Sequence, residues 1–236
     1  MPNLENKFNL GDLVVLKNHQ LLYSNTIKGD GKYIPPIMIV KEVLFENKQK
    51  KTHDDITGEQ IAEKVKYICL YFDDNKSEFI ESHLYESVLE KAEALNLGNN
   101  TSSFSYKYGE RIFFRTQKLE LSKKRSSTVT ITTTQISKDN EEPTTIERET
   151  VQYVVNFATP DFIAIGYKKE NSNDLFYNDG KPKRLTCSDF VKVQWYNPIQ
   201  QKFSENYLPT VCFNSADSSL SNTTHEATHR EGQNEN

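Results

Sequence analysis

Five histidines and three cysteines are the side chains from which nucleophilic or metal chemistry would have to be built in this 236-residue chain. His225-Glu226-Ala227-Thr228-His229 has the i, i+4 spacing that sets two imidazoles on one helical face for a zinc ion. Its surroundings offer no apolar stripe to hold a helix, so the spacing reads as chance. His19, His53 and His83 fall in expected loops or at an expected helix start, where a solvated imidazole is the default. Cys69 sits on an apolar strand that would suppress its thiolate, and neither it nor Cys187 has a histidine close in sequence. Asp73-Asp74 and Glu141-Glu142 are adjacent turn acids rather than a spaced acid–base pair. Gly29-Asp30-Gly31-Lys32 lacks the Gly-x-x-x-x-Gly-Lys-Ser/Thr spacing and following helix of a phosphate loop. No catalytic set, metal site or cofactor is expected.

Binding chemistry is better represented. Lys48-Gln49-Lys50-Lys51, Lys123-Lys124-Arg125 and Lys181-Pro182-Lys183-Arg184 are basic clusters in expected loops. Small β-barrels bind nucleic acid with such loops beside exposed aromatic rings. The candidate binding residues are therefore Lys123, Lys124, Arg125, Lys181, Lys183, Arg184, Trp195 and Tyr196. Asp54, Asp55, Glu120 and Asp179 dilute these clusters, and Trp195, Tyr196 and Phe203 equally suit core positions. Two readings stay open: a non-catalytic adaptor engaging a protein partner, which is preferred, and a nucleic-acid accessory protein.

The elements that would position these residues show an internal repeat. Tyr71-Phe72-Asp73 matches Trp195-Tyr196-Asn197 at an offset of 124 (71 to 195), and without a gap Phe79 then matches Phe203, Glu81 matches Glu205 and Leu84 matches Leu208. The same offset sets Pro36-Ile37-Met38-Ile39-Val40 against Pro160-Asp161-Phe162-Ile163-Ala164. Upstream the offset becomes 98 (11 to 109), pairing Gly11-Asp12-Leu13-Val14-Val15-Leu16-Lys17 with Gly109-Glu110-Arg111-Ile112-Phe113-Phe114-Arg115. Each copy reads as a Gly-acid turn, an apolar strand, a strand after Pro, an aromatic strand and a short return strand. In the first copy the strands are expected at 13–16, 37–45, 65–72 and 78–80, with a turn at 54–58 where Gly58 takes positive φ. A helix is expected over 82–97, capped by Ser82 and carrying Leu84, Val88, Leu89, Ala92 and Leu95 on one stripe. The second copy holds an insertion, 117–155, that reads as a long hairpin projecting as an arm.

Gly11-Asp12-Leu13-Val14-Val15-Leu16-Lys17, Pro36-Ile37-Met38-Ile39-Val40 and Cys69-Leu70-Tyr71-Phe72 together resemble small uncharacterised bacterial domains of the YodC type. The resemblance covers residues 8–84 and implies a small SH3-like barrel; it implies no activity. The long segments 18–34 and 47–64 depart from that pattern.

Thirteen Phe, twelve Tyr and one Trp within only 36% hydrophobic residues suit small cores rather than one large interior. The expected fold is mainly β: two tandem small SH3-like β-barrel modules joined by a short helix and linker. The first module spans 1–84, helix and linker 85–105, the second module 106–213 with its arm at 117–155, and a disordered tail 214–236. A net charge of −4 gives no global attraction to nucleic acid or anionic membrane. Three widely spaced cysteines suit free thiols in a reducing cytoplasm, and no apolar run reaches membrane-span length. A cytoplasmic protein with a protein partner, and no membrane contact, is the expectation.

Overall fold

The computed structural model describes residues 6–46, 53, 54, 56–61, 63–92, 106–134, 143–171 and 174–215. The chain is mainly β. Strands β1 (Leu13–Leu16), β2 (Met38–Phe45), β3 (Val65–Asp73), β4 (Glu78–Tyr85) and β5 (Leu89–Lys91) form an antiparallel sheet in the order β4-β3-β2-β1-β5, with a 3₁₀ turn Glu86–Val88 before β5. Next come β6 (Arg111–Phe114), helix α1 (Gln117–Ser122), β7 (Lys124–Thr134), β8 (Pro143–Tyr153), β9 (Phe162–Lys169), β10 (Arg184–Thr186), β11 (Asp189–Asn197), β12 (Lys202–Pro209) and β13 (Phe213–Ser215). The second sheet runs β12-β11-β9-β6-β13, with a 3₁₀ turn Thr210–Cys212 before β13. Both paths are open at their ends, so neither closes on itself among the described residues.

Pairing repeats residue for residue between the sheets. Tyr71 faces Ile80 as Trp195 faces Ser204, and Tyr67 faces Leu84 as Val191 faces Leu208. Leu13 faces Ile39 as Arg111 faces Ile163, and Leu16 faces Leu89 as Phe114 faces Phe213. The β2–β3 register slips after Val40↔Cys69, and the β9–β11 register slips at the matching Ala164↔Val193. Gly11 and Gly109 take φ of 81° and 80°, a region that only glycine enters cheaply, and each donates its N–H to the bulge carbonyl, of Val40 at 2.8 Å and of Ala164 at 2.7 Å. Side-chain alternation then selects the faces, because a one-residue slip would reverse them all. Val14, Met38, Val40, Tyr67, Cys69 and Leu89 line one core, and the matching Ile112, Phe162, Ala164, Val191, Val193 and Phe213 line the other.

The helix expected over 82–97 is not formed where the chain is described. β4 continues to Tyr85, a single 3₁₀ turn follows, and Leu89–Lys91 is a strand against β1; residues 93–97 lie outside the described residues. Leu84 and Leu89, which suit a helical stripe, are strand residues packed on the first core, while Val88 is exposed. Cross-strand pairing with β1 and β3 overrides the local helical spacing. The insertion forms its hairpin from β7 and β8, a two-stranded sheet bridged at its base by Ile27 facing Arg125, while its start is the unanticipated α1.

The two sheets interlock. The outward face of the first sheet, with Ile39, Leu70, Phe72 and Phe79, packs into the core of the second. Phe79 meets Phe114, Phe162 and Trp195 at centroid distances of 5.2, 5.3 and 5.5 Å. Trp195 Nε1 donates to the Ser77 carbonyl at 3.0 Å, and Asn197 Nδ2 donates to the same oxygen at 3.2 Å. Arg115 Nη1 joins the halves by donating to the Gly11 and Val211 carbonyls at 2.6 and 3.0 Å. In return β10 pairs with the far end of β2, Arg184 facing Leu44.

Candidate functional site

The residues singled out in sequence part company in space. Lys123 is not a loop cation: it is 1% exposed, ion-paired with Glu120 of α1, and lies 5.5 Å from the centre of the Phe157 ring. Docking of the arm's base on the first sheet buries it, a tertiary event that its neighbours in sequence do not announce. Lys124 and Arg125 are exposed at the start of β7. Lys181, Lys183 and Arg184 share one turn, but Lys181 is paired with Asp179, Lys183 with Asp174, and Arg184 Nε donates to the Asp174 carbonyl at 3.2 Å. The basic cluster 48–51 lies outside the described residues. Trp195 is buried, whereas Tyr196, next to it on β11, points outward and is 53% exposed.

Tyr196 belongs to a larger surface. Alternation sends Phe190, Lys192, Gln194 and Tyr196 of β11 to the outer face of the second sheet, beside Phe203, Glu205 and Tyr207 of β12 and Ile163 of β9. Tyr196 and Phe203 meet edge to face at 5.7 Å, and Phe203 is 68% exposed. Lys168 Nζ lies 4.5 Å from the Tyr207 ring and 5.3 Å from that of Phe190. Three cations on this face have an acid beside them: Lys192 with Glu205, Arg111 with Asp161 at 2.6 Å, Lys168 with Glu170. Phe203 suits a core position by its match to Phe79; the structure leaves it in solvent, because among the described residues nothing covers the outer face of the second sheet as the second sheet covers the first. The clue in sequence is the change of neighbours: Leu13, Ile68 and Leu70 of the first copy become Arg111, Lys192 and Gln194 in the second.

Beneath the arm lies a buried ionisable cluster. Glu120 Oε1 accepts the Ile37 N–H at 3.0 Å, and His19 is fully buried rather than solvated. His19 Nδ1 accepts the Leu21 N–H at 3.3 Å, and the ring also hydrogen-bonds the Pro35 backbone. Burial, and then the Lys123 ammonium, push the His19 imidazole down to about 4. Burial also raises Glu120 and lowers Lys123, each opposed by the other's charge. Because the folded state disfavours the imidazolium, the unfolded chain binds more protons between pH 6.5 and about 4, so this stability is full above pH 6.5 and is lost on acidification. His19→Gln should remove about 2 kcal/mol of that acid sensitivity, read as the difference between wild type and variant in urea unfolding at pH 7 and pH 4.5. Glu120 titrates in both proteins and cancels in the difference; parallel pH profiles would contradict the assignment.

Burial pushes the thiols of Cys69 and Cys187 up to about 12 and about 11 and raises Cys212 further, disfavouring their thiolates. Among the described residues no group of three or more His, Cys, Asp or Glu is arranged to hold a metal ion, and no helix is long and apolar enough to cross a membrane. His225 and His229 lie outside the described residues. No family model, curated protein or solved structure matches this chain.

Proposed function

We propose that this chain is a non-catalytic adaptor built from two SH3-like modules in tandem, and that it engages a protein partner through the outer face of β9, β11 and β12. The resemblance of residues 8–84 to YodC-type domains supports the module assignment. So do the shared strand order and the 3₁₀ turn before each fifth strand. The observation that carries the function is the uncovered aromatic face: Tyr196 and Phe203 occupy the positions of Phe72 and Phe79, which are packed against a neighbouring module, yet they stand in solvent. Exposed aromatic residues ringed by paired charges are the composition of an interface centre and rim.

A nucleic-acid partner is the weaker reading. Lys123 is buried, Lys181 and Lys183 are neutralised by Asp179 and Asp174, and Lys192 and Arg111 on the aromatic face are each paired with an acid. Binding by counterion release needs cations free to meet phosphates. The test is affinity capture from native lysate with wild type and Phe203→Glu side by side. A stoichiometric protein retained by wild type and lost with the variant is the expected result. Recovery of nucleic acid alone, or identical capture by both, would reject the proposal.

A further inference from the structure

We infer that a second copy of this chain covers the outer face of the second sheet, the two faces meeting about a two-fold axis. This rests on the reading of that face as a docking surface and names its occupant. The molecule already shows what such a face packs against: in the first sheet Phe72 and Phe79, the matches of Tyr196 and Phe203, are covered by another five-stranded module of the same build. Head-to-tail repetition of that contact is disfavoured. It would have to compete with rings already in place: Phe72 and Phe79 lie against Trp195 in the second module, and Phe157 from the base of the arm lies edge-on, at 5.7 Å and 87°, against Tyr71, the match of Trp195, in the first. The same face on another copy meets no such competition, and gives the isologous arrangement of a closed dimer.

The charges permit it. Lys192 sits beside Glu205 and Arg111 beside Asp161, so positive and negative groups lie side by side on the face. Two such faces related by a two-fold axis can set opposite signs together, whereas a face of one sign would repel its own copy. Tyr196 and Phe203 are then the anchors excluded from water at the centre. Gln194, which lies between Glu205 and Ile163 in the pairing, falls near the axis.

Sedimentation equilibrium of the full chain across a wide concentration range should show a reversible monomer–dimer equilibrium. Phe203→Glu should weaken it by about 30-fold or more, the loss expected for an interface anchor. Ile56→Glu, at an exposed apolar side chain on the turn 54–58 of the first half, should leave it unchanged. Circular dichroism should show both variants folded, since each substitution is at the surface. Gln194→Cys should give a covalent dimer under mild oxidation, a single site crosslinking to itself only near a two-fold axis; the raised Cys187 thiol leaves the background low. A wild type that stays monomeric throughout, a dimer indifferent to Phe203→Glu, or Gln194→Cys that fails to crosslink would overturn the inference. If wild type is monomeric while Phe203→Glu still abolishes capture of a different protein, the second copy is excluded and the docking surface stands.

Discussion

Replacing Lys123 with alanine is expected to destabilise the protein by about 3–5 kcal/mol, far more than loss of a surface lysine. The reason is the partner left behind. Glu120 is fully buried on α1, and without the ammonium its carboxylate would hold its charge in a low-dielectric setting with only the Ile37 N–H to stabilise it. The ion pair is weak evidence of net stability, because both charges were taken out of water to form it. Replacing both residues, Glu120→Leu with Lys123→Met, should therefore recover most of the loss. A shortfall of about 1 kcal/mol is expected because the buried Ile37 N–H loses its acceptor. Urea unfolding of the single and double variants measures both values. A Lys123→Ala protein within about 0.5 kcal/mol of wild type, the range of ordinary surface substitutions, would mean that the pair is hydrated and that the arm's base is not docked on the first sheet.

Phe79→Ala is expected to cost about 3–5 kcal/mol, while the substitution at the matching position, Phe203→Ala, should cost less than about 0.5 kcal/mol in dilute protein. One position of the repeat thus carries opposite expectations. Phe79 lies within 5.5 Å, centre to centre, of Phe72, Phe114, Phe162 and Trp195, so truncation opens a cavity between the two sheets that surrounding rings cannot collapse to fill. Phe203 lies against Tyr196 at the surface and leaves no void. Trp195 is the chain's only tryptophan and sits at the junction, so its fluorescence reports directly on separation of the sheets. Similar losses at both positions would contradict the interlocked packing.

The repeat was legible because a gap-free run of aromatic, turn and leucine positions preserves both the pleat and the hairpin register. The pairings Tyr67↔Leu84 and Val191↔Leu208 have that offset. The positive φ of Ser77 at 53° and of Gln201 at 52° at matching turn positions follows from it. The hairpin of β7 and β8 was legible too, from a Thr-rich run, a polar turn and a second strand-like run. Residues 82–92 misled, because Leu84, Val88, Leu89 and Ala92 fit a helical stripe as well as two short strands broken by a turn. Only the partner strands β1 and β3 decide between those readings.

Local pattern, then, determined which residues form strands and which side chains share a face, since alternation and turn chemistry act between near neighbours in the chain. It did not determine which face is covered. Phe72 and Tyr196, or Phe79 and Phe203, hold the same place in their strands, and their burial differs because, among the described residues, the first sheet has the second packed on its outer side and the second has nothing on its own. The burial of His19 and Lys123 was decided in the same way, by α1 and the arm's base closing over the first sheet from about a hundred residues away along the chain (19 to 120). Burial depends on what arrives from elsewhere in the chain, and a contact of that range leaves no period or spacing beside the residues it covers.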